Sequence, residues 1–355
     1  MNPVITTIIP TYKRPFLLKR AIQSVLNQTF HDFELRIYDN ASNDETESIV
    51  HEFMNSDHRV KYHCHKENIG SEENFRFGLE RINSSFFTLL SDDDQLLPWF
   101  YQTAIDSFAK FTEAKFFTGR TIILERGKFY SVTGSHLIRD GYYTPLHRDY
   151  TVPNDIWTSM VFRKEVLQGI GTIDPESILI DVDFVFRLCM KYPFISTSKP
   201  CAVFTRHENS VSYNLKQANL LNGFIKISNK LRSEKGFSKK HKQKIEDEWS
   251  YVFAKTIFND SFHLIYKGYF QESKENANFL RSYFSLKNKA SYISFLANIC
   301  KKSSFLFSIF RFLFSLRRTF LRQRNKILFF KKYNVYSQFI LKTNKENYFN
   351  HLIKD

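Results

Sequence analysis

What this 355-residue chain lacks narrows the reading first. Its four cysteines, Cys64, Cys189, Cys201 and Cys300, form no CxxC pair and keep no regular spacing. That argues against a zinc knuckle or a disulfide framework and fits a reduced, cytosolic compartment. No GxxxxGK[ST] occurs and no GxGxxG follows the first apolar run, so a P-loop or dinucleotide fingerprint is unsupported. The start, Met1 to Pro10, has no cationic segment leading into a long apolar core and reads as a first strand, not a secretory signal. The best-formed helical segment of the C-terminal part, Ser303 to Arg324, is interrupted by Arg311 and is too short and too charged to span a bilayer.

Acidic residues are scarce in only one part of the chain. Residues 1–210 hold 23 Lys and Arg against 27 Asp and Glu, a net charge of −4, whereas residues 211–355 hold 28 against 9, a net charge of +19. With 43% apolar residues the chain can bury a core, and the asymmetry divides it into 1–213 and 214–355. The basic part suits nucleic acid, an anionic membrane surface or an acidic partner.

The first part alternates short β-branched or aromatic runs with amphipathic segments. Strands are expected at Val4 to Ile9 (stopped by Pro10), Phe33 to Tyr38, Val60 to His63 and Phe86 to Leu90. Helices are expected at Phe16 to Asn27, Asn43 to Met54 and Glu73 to Ile82. Such alternation predicts an α/β fold with a mostly parallel sheet covered on both faces, whose ligands bind beyond the carboxyl ends of the strands. Polar loops follow those ends: Thr11-Tyr12-Lys13-Arg14, then Asp39 to Asp44, then Asp92-Asp93-Asp94. Residues 104–206 read as mixed α+β with an irregular, tyrosine-rich loop near Gly134 to Pro153, and the chain beyond Ser212 reads as helical.

Three adjacent aspartates after a strand are either a solvated acidic turn or a cation site, because like charges at that spacing repel unless something positive sits among them. Mg²⁺ or Mn²⁺ carrying a phosphorylated ligand is the cation of that kind. Asp181 and Asp183 open the helix expected at Val182 to Lys191, where carboxylates are favourable for structure alone as well as for chemistry.

In order and spacing, Ile8-Ile9-Pro10-Thr11-Tyr12-Lys13-Arg14-Pro15, Ser24 to Phe30, Tyr38 to Thr46, Glu67-Asn68-Ile69-Gly70 with Asn74, Ser91 to Asp94, Ile180 to Asp183 and Arg206 to Ser210 resemble the family 2 glycosyltransferases. The resemblance covers roughly residues 3–213 and implies a GT-A fold and inverting transfer from a nucleotide-sugar donor. It implies that Thr11, Tyr12 and Asp39 hold the nucleoside, with the Asp39 carboxylate accepting a uracil or thymine imide N–H. Arg14 and Arg76 lie along the diphosphate, near Asn68 and Gly70. Asp92 holds hydroxyls of the ribose or sugar, while Asp93, Asp94 and His207 hold Mg²⁺ or Mn²⁺. Asp181 is the general base, and its apolar neighbour Ile180 is expected to raise its pKa. Two departures from the family pattern stand out: Ser91 where an Asp is usual, and Ile180 where a Glu is usual.

The C-terminal part mixes phenylalanine with Lys and Arg; residues 281–355 hold 16 basic against 2 acidic residues. In Ser303 to Arg324 a narrow polar stripe divides an otherwise apolar surface, as in helices that lie in a membrane interface. The resulting expectation is a peripheral cytoplasmic enzyme at the inner face of the plasma membrane. It would act on a glycan, most simply a lipid-linked one, in surface polysaccharide synthesis (O-antigen, capsule or lipooligosaccharide), with no nucleic-acid partner. Competing readings are a nucleic-acid binder using the basic C-terminus, a protein-glycosylating or inactive scaffold member of the same fold, and C-terminal helices that only pack on the enzyme or a second subunit. Donor sugar, linkage and oligomeric state are not encoded in these motifs.

Overall fold

The computed structural model describes residues 2–125, 128–133, 140–145, 157–174, 177, 179–207, 217–233 and 237–332. The chain divides into two compact units, Met1–Tyr213 with Phe329–Asp355 in one and Asn214–Leu328 in the other. In chain order the first contains β1 (Ile5–Thr11), α1 (Pro15–Leu26), β2 (Phe33–Asp39), α2 (Thr46–Ser56), β3 (Val60–Cys64), α3 (Ser71–Leu79) and β4 (Phe86–Leu89). There follow β5 (Gln95–Leu96), α4 (Phe100–Lys110), β6 (Phe116–Glu125), β7 (Lys128–Val132), β8 (Gly141–Tyr143) and a 3₁₀ turn at Trp157–Ser159. The last are β9 (Met160–Arg163), α5 (Val166–Ile170), α6 (Ile180–Lys191) and β10 (Phe194–Arg206).

These strands form one sheet in the order β3-β2-β1-β4-β9-β6-β10-β5, with β7 on β6 and β8 on β10. The β3-β2-β1-β4 portion is parallel, as the strand-helix alternation implies. Beyond it β9 runs antiparallel to β4 and β6, whereas β10 is parallel to β6. Each face is covered. Ile5, Ile9, Leu35 and Ile37 bury against Leu18 and Ile22 of α1 and Phe100 and Phe108 of α4. On the other face Ile8, Phe87 and Leu89 bury against Phe75 of α3 and Phe184 and Leu188 of α6. Gly78 of α3 has no room for a methyl group, since an added Cβ would lie 2.8 Å from Ile8 and 2.9 Å from Tyr38.

Three expectations shift. β1 continues through Pro10 to Thr11, because β4 pairs only as far as Ile8 and the missing Pro10 N–H falls where no neighbour needs it. α2 begins at Thr46 and not Asn43: Ala41 and Asn43 sit at φ 61° and 52°, outside the right-handed helical region, and the Asp44 carboxylate accepts the Thr46 N–H at 2.9 Å. Phe16, expected to open an amphipathic helix as one of its apolar residues, is 71% exposed. The irregular loop expected near Gly134 to Pro153 lies mostly outside the described residues; within it β8 pairs antiparallel with β10.

The second unit is helical: α7 (Gln217–Ser233), α8 (Lys239–Lys267), α9 (Phe270–Ser282), α10 (Lys287–Lys302) and α11 (Ser304–Lys332). Ala254 and Ile257 of α8, Ala277 and Leu280 of α9, and Ala290 and Ile293 of α10 form its core. α11 runs eight residues past the expected end at Arg324, since no Gly or Pro intervenes before Lys332. Among the described residues no helix is long and apolar enough to cross a membrane.

Candidate active site

The carboxyl ends of β1, β2 and β3 lie in register, Thr11 beside Asp39 and Asp39 beside Cys64, so the loops that follow share one edge of the sheet. The acid turn after β4 joins them. Thr11 Oγ1 donates to Asp92 Oδ2 at 2.9 Å, and Arg14 Nη1 lies 3.1 Å from Asp92 Oδ1 and 3.4 Å from Asp93 Oδ2. His207, just past β10, reaches the same Asp93 oxygen with Nε2 at 3.0 Å. The turn is held from below by α1: Leu96 N–H donates to Ser24 Oγ, Gln28 Nε2 donates to the Leu97 carbonyl, and Gln28 Oε1 accepts the Tyr101 N–H. This is the structural use of the Ser24 to Phe30 stretch.

All three aspartates are buried, at 5%, 7% and 1% exposure, which makes their charge expensive. Burial and the neighbouring Asp93 charge push Asp92 up to about 6, against the opposing pull of Arg14. Asp94 is raised well above the usual carboxylate range, mainly by burial and then by Asp93. Its oxygens are taken by the Thr205 N–H at 2.9 Å and Thr158 Oγ1 at 2.8 Å, so Asp94 ties the acid turn to β10 and to the Trp157–Ser159 turn.

Asp39 is 2% exposed. Its Oδ1 accepts from the Ser42 N–H and hydroxyl, and its Oδ2 accepts the Tyr62 hydroxyl at 2.7 Å. Two carboxylate oxygens offer about four acceptor positions, and the fourth faces the Cys64 thiol, a weak donor 3.8 Å from Oδ2 that an incoming N–H can displace. Tyr12 is exposed on the neighbouring loop, where the Asn68 amide and then Lys13 lower its phenol pKa. Asn68 accepts from Asn40 Nδ2 and from the Gly70 N–H, each at 2.9 Å, while Asn40 Oδ1 accepts the Ile69 N–H. Gly70 takes φ +88°, a conformation that favours glycine. Lys13, Ala41 and Asn43 also have positive φ without being glycine, so backbone strain gathers in the loops after β1 and β2.

Arg76 is not drawn toward the acids; it pairs with Glu73 on its own helix and is half exposed. Asp181 and Asp183 are sorted by their partners. Asp183 is fully buried and bonds Arg187, whose other nitrogens donate to the Ile170 and Thr172 carbonyls, so this pair staples α6 to the chain after α5. Asp181 accepts the Val182 N–H at 2.8 Å and its own backbone N–H, and burial raises its pKa. It shares no hydrogen bond with the acid turn.

Whether the site suits a divalent ion turns on its donor set. Among the described residues no three His, Cys, Asp or Glu side chains form a cage. Asp93 Oδ2 and His207 Nε2 nevertheless face each other at 3.0 Å with the Arg14 guanidinium beside them. Two protein donors suit Mg²⁺ or Mn²⁺ shared with a diphosphate and do not suit a closed structural ion. The residues present fit such an ion.

Four residues of the site escaped the motif reading: Arg20, Tyr62, Thr158 and Thr205. Arg20 is buried behind the acid turn, with Nη2 3.4 Å from Gln95 Oε1; burial lowers its pKa while Asp93 and Asp94 hold it up. Its signal was available, since Leu17, Arg20, Ala21 and Ser24 share one buried helical face and a charge there calls for a partner.

Residues 6–171 match the family described as glycosyl transferase family 2. A GalNAc(5)-diNAcBac-PP-undecaprenol beta-1,3-glucosyltransferase of Campylobacter jejuni is 38% identical over 96 residues, 27% of this chain and 31% of the relative. The match thus spans under a third of that relative's length. S. aureus TarS 1–349, solved with UDP-GlcNAc, has a similar fold at TM-score 0.59 and 16% identity, covering 84% of this chain and 91% of that one. The mannosyltransferase PcManGT of Pyrobaculum calidifontis, solved with GDP-Man and Mn²⁺, aligns at TM-score 0.53 and 14% identity over 90% of this chain and 85% of its own. Residues 6–171 therefore carry the match to glycosyl transferase family 2, on an α/β fold that this chain shares with TarS.

Proposed function

We propose that the chain transfers a sugar, with inversion, from a UDP- or dTDP-linked donor to a hydroxyl of a lipid-linked glycan during bacterial surface polysaccharide synthesis. The observation that carries this reading is the meeting of Arg14 and His207 on one oxygen of Asp93, beside Thr11 and Asp92 at the strand ends. Thr11, Tyr12 and Asp39 hold the nucleoside, with Asp39 exchanging its weak Cys64 thiol contact for the base N–H. Arg14 and the Asn68-to-Gly70 turn hold the diphosphate, and Arg76 joins them by leaving Glu73. Asp92 accepts from ribose or sugar hydroxyls. Asp93 and His207 hold the divalent ion, with Asp94 fixing the turn behind them. When bound, such an ion would supply positive charge beside the departing nucleotide diphosphate.

Asp181 takes the proton of the acceptor hydroxyl as its oxygen bonds to the anomeric carbon and the bond to the diphosphate oxygen breaks. Its raised pKa makes it a stronger base than a solvated aspartate. The likeness to an enzyme named for an undecaprenol-linked substrate supports a lipid-linked acceptor. The basic, aromatic second unit supports work at the inner face of the plasma membrane.

Titration calorimetry with UDP, dTDP, GDP and CDP, with and without Mn²⁺, tests the donor site. Manganese-dependent binding of UDP or dTDP, lost in Asp93→Ala, is the expected result. Binding of none of the four would overturn the transferase reading, and selective binding of GDP or CDP would overturn the assigned base.

A further inference from the structure

α11 carries two apolar faces where a packing helix needs one. At 100° per residue, Phe307, Phe310, Phe314 and Arg318 fall on one stripe, and all are half-buried. This stripe meets its own unit: the Phe307 ring centre is 5.2 Å from Phe270, and Phe314 is 5.3 Å from Tyr266. About 155° round the helix from it, Phe305, Ile309, Phe312, Leu313, Leu316 and Phe320 stand in solvent. Their exposures are 72%, 40%, 63%, 57%, 52% and 67%, so the arc is outside the fold.

The outer arc continues for roughly 22 Å of helix from Phe305 to Phe320. A water-facing helix surface is ordinarily polar, and a continuous apolar strip of this length marks a binding face. Its borders are charged or hydroxylic. Ser308, Arg311 and Ser315 run along one side and Arg317 and Arg324 along the other. α11 holds eight Lys and Arg and no acid, and α10 adds four with none.

We infer that α11 is an in-plane anchor for an anionic lipid bilayer. The Phe305-to-Phe320 arc sinks among the upper acyl chains, and Arg311, Arg317 and Arg324 lie at the level of the phosphates. Charge selects this occupant. A second copy would bring the same unbalanced cations against these, while an anionic bilayer supplies both the missing negative charge and an apolar layer beneath it. Nucleic acid would satisfy the arginines but leave Ile309, Leu313 and Leu316 without a partner. The inference rests on the reading of this chain as a membrane-surface enzyme, and it is independent of which sugar is moved.

Flotation of the full chain with phosphatidylglycerol/phosphatidylcholine vesicles, against phosphatidylcholine alone, tests it. The wild type should float with the anionic vesicles. A Phe312→Ser, Leu316→Ser, Phe320→Ser variant, changed only at exposed positions, should lose partitioning by about tenfold or more. Arg317→Glu with Arg324→Glu should lose it on anionic vesicles and provides a second handle should the serine variant not fold. Flotation of both variants like wild type, or no flotation of the wild type, would overturn the anchor. So would a dimer seen by sedimentation that the serine variant abolishes and vesicles leave intact. UDP calorimetry with Mn²⁺ on the same samples separates the two readings: vesicle binding without nucleotide binding keeps the anchor and removes the transferase, and the reverse removes the anchor alone.

Discussion

Arg14 donates to Asp92 at 3.1 Å, setting a guanidinium against a carboxylate that burial drives toward its neutral form. The same nitrogen is 3.4 Å from Asp93, so one guanidinium partly neutralises two carboxylates of the acid turn. Under the proposed function Arg14 exchanges carboxylates for phosphate as the ion arrives. Arg14→Gln should therefore tighten Mn²⁺ binding in the absence of nucleotide and weaken UDP binding in its presence by about tenfold or more, the scale of one lost charge-assisted hydrogen bond. Calorimetry reads both, and a parallel loss of the two affinities would contradict the exchange.

Under the proposed function Asp93 and His207 are the side chains that hold the ion. His207→Ala should weaken manganese-dependent UDP binding by about tenfold and leave metal-free UDP binding as it is, because a borderline ligand is lost from a sparse coordination shell. Electron paramagnetic resonance of free Mn²⁺ follows the change directly, and an unaltered free-ion signal would remove His207 from the site.

Asp181 links activity and stability with opposite signs. Burial raises its pKa in the folded protein, so folding binds its proton more tightly than the unfolded chain does. The resulting destabilisation begins above the ordinary carboxylate pKa and is complete above the raised one. Asp181→Asn should then be at least as stable as wild type at pH 7 while losing transfer, and wild-type kcat should fall as pH drops through the raised pKa. Thermal melts and a pH–rate profile check both; a mutant that keeps full turnover sinks the base assignment.

Asp183, two residues on, should behave in the reverse way. Asp183→Ala leaves Arg187 without its carboxylate and loosens the start of α6 from the Ile170 and Thr172 carbonyls. A loss of about 2 kcal/mol is expected from urea melts, with UDP affinity unchanged. Equal loss of nucleotide binding would give Asp183 a direct part in the site.

Much of the first unit is legible in sequence because its strands are short apolar runs followed by polar loops. Boundaries from β1 to β4 fall within a few residues of the expected ones, and Thr11, Arg14 and Asp92 could be grouped because each directly follows a strand. Arg20 was readable in principle as a charge on a buried helical face. Thr158 and Thr205 were not. Thr205 bonds Asp94 across 111 residues, and that proximity depends on β9, β6 and β10 being laid down beyond β4 in that order, which periodicity along the chain does not encode. The second unit was legible as helical but not as helices with a shared core, since the fit of Ala277 and Ala290 against Ala254 depends on crossing geometry.

The helix α6 leads almost directly into β10, and under the proposed function the chemistry is shared between the two ends of this one piece: Asp181 at its start, and at its finish Thr205 and His207 on the acid turn. Such a segment is a natural unit of inheritance. Recombination between related chains that cuts inside it would join a base evolved for one acceptor to a phosphate side evolved for another. Gene crossovers between members of this lineage should therefore survive outside the stretch from Ile180 to His207 and be purged within it.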